Sequence, residues 1–211
     1  CDWSSDVCSS DLWLEQNIFK GHTSIPDLMA KSASVPAGSA GLVFLPYMMG
    51  ERSPIWNSNA RGVFYGLSLA TTAEMIFRAT LEGTAFAMRH NVLAAKDSGI
   101  RAEVVRSLGG GTRNNLWNQI KADVLGIPVV TIAESSGAAL GCAYLAGFGL
   151  GVFKDIREPL NANLKIERTF EPNPKVQDLY LEQFQVYRNI YESTKVEFDK
   201  LAKITELGAN L

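Results

Sequence analysis

The chain has 211 residues, 46% hydrophobic and 20% charged, with a net charge of −2: enough for one packed core, with no basic footprint for nucleic acid or an anionic membrane. Its longest apolar runs, such as residues 41–49, fall short of the ~20 residues a membrane helix needs, and no charged-then-apolar leader opens it. Three cysteines at unrelated spacings and two scattered histidines propose neither a disulfide framework nor a metal site, so a reducing, cytoplasmic setting is expected.

The first twelve residues, CDWSSDVCSSDL, contain a five-residue near-repeat (WSSDV, then CSSDL) that suits neither helix nor strand. The segment resembles translated sequencing-adapter DNA, and residues 1–12 are expected to be a foreign scar on a truncated chain, with a solvated natural tail as the alternative. From Trp13 a short helical pattern runs to residue 19. Ser24, followed by Pro26 in the first turn, predicts a helix to about residue 33. Residues 42–45 read as a buried strand ended by Pro46, and residues 62–69 alternate as a second strand, the two pairing as a hairpin or meander. Thr71 or Thr72 caps a long helix to about residue 95, with Glu74 in its first turn. Strand 104–108, helix 114–125 closed by Gly126 and Pro128, strand 129–132 and a small-residue helix 136–145 follow. Residues 161–174 read as a linker or irregular edge. An amphipathic helix then runs over residues 176–204, its tyrosines Tyr180, Tyr187 and Tyr191 predicted to dock it on the domain, a dimer contact being the alternative. Strand alternating with helix across short turns is α/β architecture with a partly parallel sheet.

Three glycines, Gly109, Gly110 and Gly111, stand between strand 104–108 and helix 114–125. Ligands of open α/β sheets bind at the carboxyl ends of strands, where a helix start offers unpaired N–H groups and a positive dipole end. Glycines there let a nucleotide approach the backbone, though a tight turn alone would also use them. Two named motifs fail. No Lys-Ser or Lys-Thr pair completes a P-loop, and Asn114 stands where a dinucleotide fingerprint needs its last glycine, which argues against a dinucleotide-dependent oxidoreductase.

Four blocks, in order, resemble the C-terminal lobe of the FGGY carbohydrate kinases, and among them the xylulokinases: GLVFLPYMMGERSPIWNSNARGVFYGLSL, FRATLEGTAFAMRHN, LGGGTRNNLWNQIKADVLGIPV and ESSGAALGCAYLAGFGLGVF. Met75, where the family pattern is polar, and Cys142, where it has a small alanine, depart from it and bear on the subfamily rather than on membership. The resemblance implies an actin-like, ribonuclease-H-like α/β fold of two lobes with the active site between them. This chain would supply the C-terminal lobe over residues 13–160, with residues 161–211 as linker and docked helix.

It implies ATP and Mg²⁺ as cofactors, a sugar substrate, the missing N-terminal lobe as partner, and transfer of the ATP γ-phosphate to a sugar hydroxyl, D-xylulose first, with gluconate or another sugar open. Carried over by residue, Gly109 and Gly110 lie along the α-phosphate and adenosine, and Asn114 hydrogen-bonds adenine. The same asparagine suits the N-cap of its helix, and one side chain can do both. Gly111 is read as turn geometry and Ser136 as a helix cap. Ala138, Ala139, Gly141 and Ala143 are read as a thin face packed on the sheet. Glu51 and Arg52 face the cleft or pair locally. Arg78, Glu82 and Arg89 are read as a solvated or interlobe face. The family's catalytic aspartate and Asp-x-Gly-Thr loop have no counterpart here, so no catalytic residue and no metal ligand is assigned, and the Mg²⁺ ligands fall mostly outside the chain. The fragment is expected to bind adenine nucleotide without phosphorylating sugar. A non-catalytic nucleotide-binding module is the competing class.

Overall fold

The structure, a computed structural model, describes residues 10–20, 23–133, 137–163 and 165–209. Of the twelve opening residues only the last three are described, and Ser10 is buried there. A π-helical turn follows over Leu14–Ile18. Helix α1 (Ile25–Ser32) begins where expected: Ser24 Oγ accepts from Asp27 N, with proline in the first turn. Strand β1 (Val43–Leu45) pairs antiparallel with β2 (Val63–Tyr65) as a hairpin. The second strand stops well short of residue 69 because Gly66 turns at φ 96°, and a Cβ on it would lie 2.9 Å from Gly41 O.

Helix α2 (Ala73–Asp97) is capped by Thr72, whose hydroxyl accepts from Met75 N. It crosses β1 at Gly83, where any Cβ would meet Phe44 O at 2.2 Å, so only glycine lets strand and helix touch backbone to backbone. Strand β3 (Val105–Ser107), helix α3 (Asn115–Leu125) and strand β4 (Val129–Ile132) form a β-α-β unit, with β3 and β4 parallel. Gly126, left-handed at φ 71°, closes α3.

Helix α4 (Gly137–Gly149) and helix α5 (Arg157–Asn163) lead to β5 (Ile166–Phe170), and α6 (Gln177–Ala209) ends the chain. The order β3-β4-β5 corrects the expectation for residues 161–174: the helix before it runs to Asn163, and Ile166–Phe170 is a strand antiparallel to β4. Its sequence, IERTF, carries no apolar alternation because four of its five residues are exposed. The strand exists through the β4 ladder and through Phe170, which packs on Ala122, Leu125 and Val129.

Helix α6 docks as expected. Tyr180, Phe184, Tyr187 and Tyr191 are all buried, and Phe86 of α2 sits among the first three of these rings at 5.5–6.1 Å. Tyr47 and Tyr187 share a hydroxyl–hydroxyl hydrogen bond of 2.6 Å. Burial and that partner hold the Tyr187 phenol well above its ordinary pKa.

The polar face predicted for α2 is overturned. Arg78 and Glu82 are 7% and 1% exposed. Arg78 Nε donates to Glu82 Oε1 at 2.8 Å, and the same oxygen accepts from Gly38 N (3.0 Å) and the Tyr180 hydroxyl (2.8 Å). Ser39 Oγ donates to Oε2 at 2.7 Å, and Arg78 reaches Val35 O at 2.7 Å. The carboxylate thus sits in a cage that ties α2 to the 35–41 loop and to α6. Arg89 is half-buried, donates to Val124 O and lies 5.5 Å over the Phe184 ring.

The thin face of α4 is also not what was expected. Ala139 and Ala143 are exposed, and a Cβ on Gly141 would meet nothing within 4 Å. The helix turns Tyr144 inward instead, against Phe153.

Candidate functional site

The glycine loop leaves β3 at Ser107, where the β-α-β unit brings the carboxyl ends of β3 and β4 side by side. Gly109 adopts φ 84° and ψ −166°, a region essentially closed to residues with a Cβ. A Cβ there would touch nothing within 4 Å, so the conformation and not crowding requires glycine, and the space beside it is open. Gly110 opens a 3₁₀ turn, Gly110–Arg113, whose first amides have no helical acceptor. Thr112 braces the turn, its amide and hydroxyl both donating to Gly109 O (3.2 and 2.7 Å). Gly111 lies flat against Trp117, since a Cβ would fall 3.3 Å from the indole nitrogen.

Asn114 is the N-cap of α3: its Oδ1 accepts from Trp117 N at 2.9 Å. Its Nδ2 donates to no described residue. Asn118, fully buried, clamps the turn from below, with Nδ2 donating to Thr112 O (2.7 Å) and Asn114 O (2.9 Å). Gly109, Gly110 and Asn114 are therefore brought together on one short loop at a helix start.

One neighbour has no signature in a sequence reading. Lys121, one turn further along α3, is 4% exposed; its Nζ lies 2.5 Å from Ser107 Oγ and 5.1 Å over the Trp117 ring. Burial pushes its pKa down to about 8. The helical spacing that puts it beneath the loop was available in the sequence, but an inward lysine cannot be told from a solvated one without knowing which face α3 buries. On the outer side Arg113 is exposed, and Arg168 of β5 donates to Asn115 Oδ1 at 2.7 Å.

No acidic residue occurs between Ser107 and Lys121. Backbone amides, a primary amide and basic side chains at a helix start fit a phosphate-bearing anion, and they do not fit a divalent cation. Among the described residues no group of three or more His, Cys, Asp or Glu side chains is placed to hold a metal ion.

The other sequence candidates lie elsewhere. Glu51 closes its own turn, Oε1 accepting from Arg52 N (2.7 Å) and Ser53 N (3.1 Å). Residues 134–136, with the Ser136 cap, lie outside the described residues. A cavity of about 180 Å³ is lined by Tyr47, Ile55, His90, Tyr187 and Glu192, away from the glycine loop. Cys142 is exposed and unbridged, and no helix among the described residues is long and apolar enough to cross a membrane.

Comparison with known proteins agrees with this architecture. Residues 7–150 match the FGGY family of carbohydrate kinases, C-terminal domain. Xylulose kinase of Staphylococcus epidermidis is 34% identical over 193 residues, 92% of this chain and 39% of that protein. Among solved structures, a ligand-bound xylulose kinase from Lactobacillus acidophilus superposes with a TM-score of 0.80 at 29% identity, over 90% of this chain and 39% of that one. A gluconate kinase from the same organism has the same score, identity and coverage. The chain spans about 39% of the length of such relatives. The fold is the actin-like α/β fold of these kinases, and the chain belongs to the FGGY family of carbohydrate kinases, of which it carries the C-terminal domain.

Proposed function

We propose that this chain is the nucleotide-holding part of an ATP-dependent sugar kinase that phosphorylates D-xylulose to D-xylulose 5-phosphate. The observation that carries the reading is the loop itself: glycine-only backbone at Gly109 opening into the start of α3, at the carboxyl ends of two parallel strands. Gly109 and Gly110 let the adenosine and α-phosphate lie against the backbone, and Asn114 Nδ2 donates to the adenine while Oδ1 keeps its cap. The xylulose assignment draws on the xylulose kinase relatives, and gluconate is the alternative that an equally similar structure supports.

Phosphoryl transfer also needs a base for the sugar hydroxyl and Mg²⁺ on the phosphates. The described residues supply neither, so both belong to the partner lobe, and this polypeptide alone does not turn over sugar. Calorimetric titration with ADP and a coupled assay of ADP release with xylulose, gluconate and glycerol test the reading. Expected are ADP binding by the chain, no sugar-dependent ADP release from it, and xylulose-dependent release when the N-terminal lobe is supplied. Absence of ADP binding would refute the site. Steady turnover by the chain alone would refute the division of labour. Long reads of the source DNA across the codons for Leu12 and Trp13 distinguish the truncated kinase from a free-standing nucleotide-binding module.

A further inference from the structure

We propose that Lys121 is the fixed counter-charge for the phosphates of the nucleotide that the glycine loop receives, an inference resting on the nucleotide reading above. The ammonium is buried beneath the loop with, among the described residues, one hydrogen-bond partner, Ser107 Oγ at 2.5 Å, and one ring, Trp117 at 5.1 Å. None of the described ion pairs includes it. A buried charge with no counter-ion is costly, and a methionine or leucine at that place would pack the same volume without the cost. An ammonium in that setting, with no acidic partner among the described residues, suits an anion carried by a ligand.

The geometry says where the anion sits. Ser107 is the last residue of β3, two positions before Gly109, so the Nζ lies directly under the strand end from which the loop departs. Thr131 of β4 is paired with Ser107 in parallel register, which puts both side chains on the same face of the sheet. Thr131 is 1% exposed, and its Oγ1 has no hydrogen-bond partner among the described residues. The Thr131 hydroxyl is thus an unspent donor on the sheet face that carries Ser107. Trp117 touches both Lys121 and Gly111, so the ring that holds the ammonium also holds the loop.

The alternative is that Lys121 is only a strut for Ser107. The two roles separate on a ladder of ligands. Wild type and Lys121→Met are titrated with adenosine, AMP and ADP, and their thermal unfolding is recorded. A counter-charge predicts that the variant unfolds no earlier than wild type and binds adenosine within about twofold, while ADP affinity falls about tenfold or more and AMP lies between. A strut predicts equal losses for all three ligands, and that result overturns the proposal. So does unchanged ADP affinity in the variant. If wild type binds neither adenosine nor ADP, the nucleotide reading itself fails and takes this proposal with it. Should the variant not fold, the ¹³Cε resonance of Lys121 in wild type decides: it moves with ADP and not with adenosine if the proposal holds, and with both or neither if it does not.

Discussion

Asn114 spends its two amide atoms differently, and that makes its roles separable. Oδ1 holds the cap through Trp117 N, while Nδ2 faces no described acceptor. Asn114→Asp keeps the cap acceptor and removes the donor, so thermal stability should stay within about 0.5 kcal/mol while ADP affinity drops. Asn114→Ala loses both, with a stability loss of about 1 kcal/mol in a denaturant titration. If the aspartate variant binds ADP as wild type does, the asparagine is a cap and nothing more.

Glu82 shows the opposite economy, one carboxylate taken up entirely by the fold. It accepts from Gly38 N, Ser39 Oγ, Arg78 Nε and the Tyr180 hydroxyl, all inside the protein. Glu82→Ala leaves Arg78 buried without its anion, and the expected loss is about 3–5 kcal/mol, read from the urea midpoint. Replacing Arg78 and Glu82 together with apolar residues should recover part of it, since the pair contributes less than its halves cost when orphaned.

Among the elements, those with local signals were legible. Ser24, Thr72 and Asn114 each cap the helix that follows them, because a short acceptor side chain satisfies an orphan amide wherever the neighbouring residues are helical. Gly126 ends α3 for an equally local reason. Strand β5 was not legible, since what makes IERTF a strand is the β4 edge, some 35 positions earlier in the chain. Helix α4 was legible as a helix but not as a packing element. It is apolar on all sides, yet Leu145 is 61% and Phe148 47% exposed. A helix of that composition is ordinarily covered, so the isolated chain is expected to self-associate through it. Light scattering against concentration should show this, and Leu145→Lys with Phe148→Lys should suppress it while moving stability by no more than about 0.5 kcal/mol. Equal association in wild type and variant would place the sticky surface elsewhere.

For the whole molecule, the sequence by itself determined the α/β class, the parallel β3–β4 unit with its glycine loop, the docking stripe of α6 and the family. Each of these rests on contiguous residues: caps, a glycine run, a 3.6-residue apolar period and four ordered blocks. Only the tertiary structure decided which charged residues face inward. Arg78 and Glu82 lie on a helix face read as solvated or interlobe, and their burial depends on Gly38, Ser39 and Tyr180, which are distant in the chain. Lys121 became distinct from any other helical lysine once β3 put Ser107 under it and Trp117 closed over it. The physical reason is common to these cases. Backbone conformation responds to neighbours a few residues away, whereas the cost of burying a charge depends on every element that excludes water from it.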